Sequence, residues 1–134
     1  MFLSPLDYFA DFFDHPDATD ERKENARVLC DMVNDLLIEA EAHGVEIKTN
    51  WRTKTVVSGE QYGGFRPKDC PIGAPGSAHK QGMGVDIFDP DNELDNYVTD
   101  AILTAHDLYR ESPGSTKGWC HLQTRPTKNR TFLP

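Results

Sequence analysis

The chain has 134 residues, the usual size of one domain, and its formal net charge at pH 7 is −8. This charge argues against a nucleic-acid partner, because phosphate binding needs clustered lysines and arginines that the chain lacks. No stretch approaches the about 18 apolar residues of a membrane span, and the first residues lack the basic start of a secretory leader. We therefore expect a single soluble domain over residues 1–134, made in the cytoplasm without a signal peptide and not inserted into a membrane.

The first third of the chain has the pattern of two helices. Ser4 fits an N-cap and Pro5 the first helical position, which predicts a short helix that closes at His15 and Pro16. A second helix is predicted from about Thr19 to a stop at Gly44. Its apolar residues recur at spacings of three and four, as on one buried face: Ala26, Leu29, Cys30, Val33, Leu36, Leu37 and Ala40.

The remainder of the chain mixes strand and helix patterns. Apolar and polar residues alternate over residues 45–51, which predicts a half-buried strand that residues 55–58 continue or pair with. Residues 59–76 are rich in Gly and Pro without periodicity, and a loop of that length in a compact domain is usually functional. Further along we expect a strand at 85–88, a helix at 94–109, a loop at 111–117 and a last strand at 119–124.

These elements together predict an α+β fold, with a small, mainly antiparallel sheet and helices packed on it. The cysteines Cys30, Cys70 and Cys120 are odd in number and lack the spacing of a disulfide framework. We therefore expect reduced thiols.

Two short motifs carry the chemistry. Residues 77–86 read SAHKQGMGVD and residues 119–121 read WCH, so that together they supply His79, Asp86 and His121. Two imidazoles and one carboxylate are a familiar ligand set for catalytic zinc, with a fourth position left open. The glycines between His79 and Asp86 allow a tight turn that brings both side chains to one point. Spacing alone leaves a hydrogen-bonded polar cluster or unrelated surface groups as the alternatives.

The motifs resemble those of a known family. The Ser-x-His, Gly and Val-Asp pattern of residues 77–86, followed by Trp-x-His, is similar to the zinc peptidases that include D-alanyl-D-alanine carboxypeptidases, vancomycin-resistance D,D-dipeptidases and phage L-alanyl-D-glutamate endolysins. Residues 58–59 and 64–67 resemble that family's Ser-Gly-Tyr-Arg segment, interrupted by residues 60–63. The resemblance marks residues 19–134 as a zinc peptidase-like domain and residues 1–18 as an N-terminal helical extension.

The resemblance implies a phage-type hydrolase that cleaves peptide bonds of bacterial cell-wall peptidoglycan, as a carboxypeptidase or an endolysin. Zn²⁺ would be held by His79, Asp86 and His121. Arg66 would pair with an anionic oxygen of the substrate or of the tetrahedral intermediate, and Ser77 would bind substrate. The alternatives are a turn residue for Arg66 and a loop-structuring hydroxyl for Ser77. Such a protein would reach the cell wall by phage lysis or in a virion.

One position departs from the family pattern. Family members carry Glu or Asp three residues before the last histidine, where it takes a proton from the attacking water and passes it to the leaving amine. Gly118 stands there in this chain. Glu111 and Glu60 are candidate replacements, although each is also explained as a solvated surface group. If Gly118 is the whole deficit, we expect Gly118→Glu to raise hydrolysis by orders of magnitude. The alternative function is a zinc-binding virion-structural or cell-wall-binding module that has lost catalysis.

Overall fold

The computed structural model describes residues 1–74 and 76–134; Pro75, within the predicted long loop, lies outside the described residues. Helix α1 spans Pro5–Phe9 and is followed by a 3-10 turn, Ala10–Phe12. The predicted cap at Ser4 is confirmed, because Ser4 Oγ accepts a hydrogen bond from the Asp7 amide at 3.1 Å. The α-helix ends earlier than expected because Ala10 adopts a positive φ of 49°.

Helix α2 spans Asp20–Ala42 and confirms the second predicted helix. Thr19 Oγ1 accepts a hydrogen bond from the Arg22 amide at its start, and Gly44 follows its end with a left-handed φ of +92°. The predicted apolar face is buried along its whole length: Ala26, Leu29, Cys30, Val33, Leu36, Leu37 and Ala40.

Four strands form one mixed sheet. They are β1 (Gly84–Phe88), β2 (Tyr109–Glu111), β3 (Trp119–Gln123) and β4 (Thr131–Phe132), in the spatial order β1-β3-β2-β4. β3 pairs antiparallel with both β1 and β2, while β4 pairs parallel with β2. The predicted α+β class and mainly antiparallel sheet are therefore confirmed.

The predicted strand over residues 45–51 is wrong. Residues 45–50 form no regular structure and a turn follows at Trp51. The buried Asn50 explains this, because its side-chain amide donates to the carbonyls of Val57 and Gly59 at 3.0 and 2.8 Å. The segment folds back on itself, and residues 55–58 reach the sheet through a single bridge between Val57 and Ile87.

The single helix predicted over residues 94–109 is two short ones, α3 (Glu93–Tyr97) and α4 (Asp100–His106). Val98 takes an extended conformation between them, and Thr99 Oγ1 caps the new helix by accepting from the Ile102 amide at 3.2 Å. The expected loop at 111–117 is corrected at its first residue, because Glu111 belongs to strand β2.

One face of the sheet packs against the helices. Val85 and Ile87 of β1 and Cys120 and Leu122 of β3 are fully buried and join the apolar face of α2 in the core. All three cysteines are free, as expected, and all three are buried. Among the described residues, none of the helices is both long and apolar enough to cross a membrane. The other face of the sheet carries the polar residues described next.

Candidate metal centre

The structure brings His79, Asp86 and His121 together. Asp86 of β1 and His121 of β3 are direct partners in the antiparallel register, and their strand neighbours fill the core on the opposite face. His79 comes from a 3-10 turn, Ala78–Gln81, just before β1. The ligating atoms of the three side chains all lie within 4.8 Å of one another.

One carboxylate oxygen lies at the middle of the group. Asp86 Oδ1 is 2.8 Å from His121 Nδ1 and 3.3 Å from His79 Nε2. The side chains of both histidines are only 5 % exposed, and that of Asp86 is 14 % exposed. Two imidazole nitrogens and a carboxylate oxygen converging in a nearly buried position can hold a metal ion.

The outer ring nitrogens support the same interpretation. His79 Nδ1 lies 2.8 Å from the Gly64 carbonyl oxygen, and His121 Nε2 lies 2.7 Å from Gln123 Oε1. Both partners are acceptors, so each outer nitrogen donates its N–H to one of them, and the other ring nitrogen, Nε2 of His79 or Nδ1 of His121, faces Asp86. Ligating histidines in metalloproteins are commonly held in this way, with the second N–H donated to a carbonyl or carboxylate. The residues present therefore fit a metal ion.

The charges of the group also suit a cation. Burial raises the pKa of Asp86, but the neighbouring His79 and His121 imidazoles outweigh it and hold that pKa well below its usual range. Burial lowers the pKa of His121, whereas its hydrogen bond to Asp86 raises it above the ordinary value. Asp86 is thus ionised, and a metal ion would take the place of the proton that His121 shares with it.

Glycines allow the close packing around the centre. A Cβ on Gly84 would lie 3.2 Å from Cε1 of His121 and 2.9 Å from the Ala78 side chain. Gly82 has a left-handed φ of +75°, and a Cβ there would lie 2.5 Å from the Arg22 carbonyl oxygen. The tight turn expected between His79 and Asp86 is therefore present.

Arg66 and Ser77 also lie at the centre. Arg66 Nη2 is 3.4 Å from Asp86 Oδ2, and its Nε donates to the Tyr62 carbonyl at 2.8 Å, so the guanidinium points into the site. Ser77 Oγ accepts a hydrogen bond from the His79 amide at 3.3 Å. Ser77 thus structures the turn that carries His79, while it also lines the cavity beside the centre.

The two acidic candidates differ in their surroundings. β2 pairs Arg110 with Leu122, and continuing this register by one residue places Glu111 opposite His121. Glu111 and His121 line the same cavity, and the negative charge of Glu111 contributes to the raised pKa of His121. Glu60 lines a neighbouring cavity, but its side chain is 73 % exposed and forms an ion pair with Arg52 at 3.0 Å.

Gly118 is held in a specialised turn. Its φ is +98°, its amide donates to Asn92 Oδ1 at 3.1 Å, and its carbonyl accepts from the Asp89 amide at 3.1 Å. The space around a Cβ is open, but this backbone conformation strains any residue other than glycine. The expected gain in hydrolysis from Gly118→Glu stays a prediction, and the substitution would also strain the turn that leads into β3.

Two residues at the centre were missed by sequence reasoning. Gln123 follows His121 by two residues in β3, so strand alternation places both on one face and could have identified it. The Phe132 ring stands edge-on to His121, with 6.2 Å between ring centroids. No local signal predicts this contact, because it depends on the parallel pairing of β4 with β2.

Comparisons of the chain with protein-family models, with curated proteins and with solved structures found no match in any of the three.

Proposed function

We propose that this chain is a zinc-dependent peptidase of the carboxypeptidase and endolysin family that it resembles, acting on peptide bonds of bacterial peptidoglycan. The observation that carries the proposal is the His79, Asp86 and His121 group with both outer ring nitrogens bonded to acceptors. Two nitrogen donors favour zinc over magnesium or calcium, which prefer oxygen ligands throughout. Three protein ligands leave a position open for substrate or water.

The side chains around the centre have separate tasks in this proposal. Zinc, when bound, polarises a carbonyl group and lowers the pKa of water. Arg66 stabilises the negative charge that develops on the carbonyl oxygen of the scissile bond, since its guanidinium already points toward Asp86. Ser77 keeps His79 in place through the bond to its amide.

Glu111 is the proposed acid and base. This role is supported by the register of β2 against β3, which, continued by one residue, sets Glu111 beside His121, and by the cavity that Glu111 lines together with all three candidate ligands. From there its carboxylate accepts a proton from the attacking water and returns it to the leaving amine. It thereby takes over the task of the carboxylate that Gly118 replaces.

The proposal is tested with purified, zinc-loaded protein and bacterial peptidoglycan. New amino termini should appear and should vanish with a chelator or in His121→Ala. Glu111→Gln should lower the rate by about 10²- to 10⁴-fold with unchanged zinc content. Glu60→Gln tests the other candidate and should keep the rate. Glu24→Gln is the matched control, because Glu24 is an exposed residue of α2 that pairs with Arg27.

Two results would contradict parts of the proposal. An unchanged rate in Glu111→Gln would exclude Glu111 as the base. No release of amino termini above the metal-free background would exclude the peptidase and favour the zinc-binding virion or cell-wall module, for which the absence of a carboxylate at Gly118 is the supporting observation. For both functions, the peptidase and the binding module, we propose that the protein reaches the cell wall through phage lysis or from a virion.

A further inference from the structure

His79 is the candidate ligand that lies outside the sheet. Asp86 and His121 are fixed opposite each other by the register of β1 and β3, whereas His79 belongs to the 3-10 turn before β1. The bonds of its ring and its carbonyl to Gly64 and Arg66 fix it to the long loop, and not to β3. A contact between the turn and the end of β3 would fix the distance between the two histidines directly.

Arg125 makes this contact from the segment that follows β3. Its Nη1 donates to Gln81 Oε1 at 3.1 Å and to the Gly76 carbonyl, and we call these two bonds the clasp. Gln81 is the last residue of the turn and follows His79 by two residues. Arg125 itself follows His121 by four residues. The clasp therefore joins the two segments that carry the histidines.

We infer that Arg125 is a positioning residue, which sets the separation of His79 and His121 by holding the turn against the end of β3. This inference rests on the proposed zinc centre. Arg125 also supports His121 through its backbone, because its carbonyl accepts from Gln123 Nε2 at 2.8 Å. Gln123 Oε1 in turn accepts from His121 Nε2 at 2.7 Å. One residue outside the ligand set thus supports both histidines.

The sign of the effect separates this role from that of charge alone. Arg125 lines the cavity beside the centre, which has a volume of about 680 Å³. A guanidinium there repels a divalent cation, so the loss of its charge alone would strengthen zinc binding. The loss of the clasp would weaken zinc binding instead.

Substitutions of Arg125 test the inference through zinc affinity, measured by competition with a chromogenic chelator. Arg125→Met removes both bonds of the clasp, while Gln123 keeps its bond to the backbone carbonyl of residue 125. We expect the Kd for zinc to rise by about tenfold, the lower end of the effect typical of residues that orient ligands. Arg125→Lys should stay within about threefold of the unchanged protein, because both bonds come from one nitrogen and an ammonium has three donors.

Arg130→Met is the matched control. Arg130 Nη1 also donates to a backbone carbonyl and a side-chain oxygen, those of Leu108 and Asp107, at 3.1 and 3.2 Å. These partners lie at the end of α4 and just before β2, and not on the segments that carry the histidines. We expect Arg130→Met to change the Kd for zinc by less than twofold.

Two further measurements distinguish positioning from a general loss of stability. Gln81→Leu removes an acceptor of the clasp, so the double variant with Arg125→Met should bind zinc no more weakly than Arg125→Met alone. Co²⁺ replaces zinc as a spectroscopic probe, because its visible absorption depends on the arrangement of the ligands. The absorption bands should change in Arg125→Met and be restored in Arg125→Lys.

Three results would overturn the inference. They are a Kd for Arg125→Met that is lower than or within twofold of that of the unchanged protein, losses that multiply in the double variant, and a Co²⁺ spectrum that is the same in Arg125→Met. Absence of zinc binding in the unchanged protein would instead refute the metal centre itself.

Discussion

At the scale of single residues, the state of each histidine is set by its outer partner. Gln123 is 2 % exposed, accepts from His121 Nε2 and donates its own amide to the Arg125 carbonyl at 2.8 Å. This chain of bonds fixes the orientation of the His121 ring and leaves Nδ1 directed at Asp86. Gln123, which is not a candidate ligand, therefore sets the orientation in which the His121 ring would meet a metal ion.

We predict that Gln123→Leu weakens zinc binding by about 10- to 100-fold, because His121 loses the acceptor that orients it. Competition with a chromogenic chelator measures the affinity. Gln123→Glu keeps an acceptor at the same place and should retain most of the zinc affinity. Equal affinities in Gln123→Leu and the unchanged protein would show that Gln123 does not orient the ligand.

At the scale of elements, a buried lysine connects the long loop to the turn that carries His79. Lys80 is 6 % exposed, and its Nζ donates to the backbone carbonyls of Lys68 and Cys70, both at 3.0 Å. The Arg66 amide also donates to the His79 carbonyl at 3.2 Å, and His79 Nδ1 bonds the Gly64 carbonyl, so several bonds hold the loop against the centre. The loop is thus part of the site's support.

Lys80→Met should lower the free energy of unfolding by about 1–3 kcal/mol, since the aliphatic part of the side chain is kept but one buried and one partly buried carbonyl lose their donor. Urea denaturation followed by circular dichroism measures it. Lys68→Met is the control, because the Lys68 side chain is exposed and only its carbonyl takes part. Equal denaturation midpoints for the two variants would show that the bonds from Lys80 Nζ to the loop contribute nothing to the stability of the fold.

The elements also show what local pattern predicts and what it does not. Helix α2 and strands β1 and β3 follow from apolar spacing and short-range signals, and all three are present where expected. The alternation over residues 45–51 was misleading because the Asn50 side chain donates to the carbonyls of Val57 and Gly59. In a paired strand, backbone amides would have donated to those carbonyls instead. The break at Val98 was hidden because the apolar spacing of α3 and α4 continues across it.

In the candidate site, too, local pattern predicts some residues and not others. His79, Asp86 and His121 could be found because two of them alternate with core residues in predicted strands and the third lies in a recognisable motif. Glu111 could be named only as one of two acids, since its position depends on how β2 pairs with β3. Long-range strand pairing is the information that periodicity does not contain.

At the scale of the whole molecule, the three candidate ligands come from a turn and two strands that meet only in the folded chain. Metal binding should therefore stabilise the folded state alone. We predict that free zinc at about 100 times its Kd adds about 2.7 kcal/mol to the free energy of unfolding and raises Tm by about 10 °C. Calorimetry with zinc and with a chelator measures the difference. His121→Ala should abolish the difference in Tm between the two conditions. If the Tm of the unchanged protein is the same with zinc and with a chelator, the metal centre is refuted.

The row of side chains across the sheet has one more consequence. Asp86 pairs with His121 and Glu111 pairs with Phe132, so two of the three candidate ligands, the proposed acid and Phe132 lie in one row across the four strands. A slip of one residue between β1 and β3 would turn Asp86 into the core and Val85 or Ile87 outward. Such a chain could not chelate an ion. In a zinc-saturated preparation, the metal content would then give the fraction of molecules with the correct register between β1 and β3. The metal-free fraction would give the molecules with a shifted register, without any assay of activity.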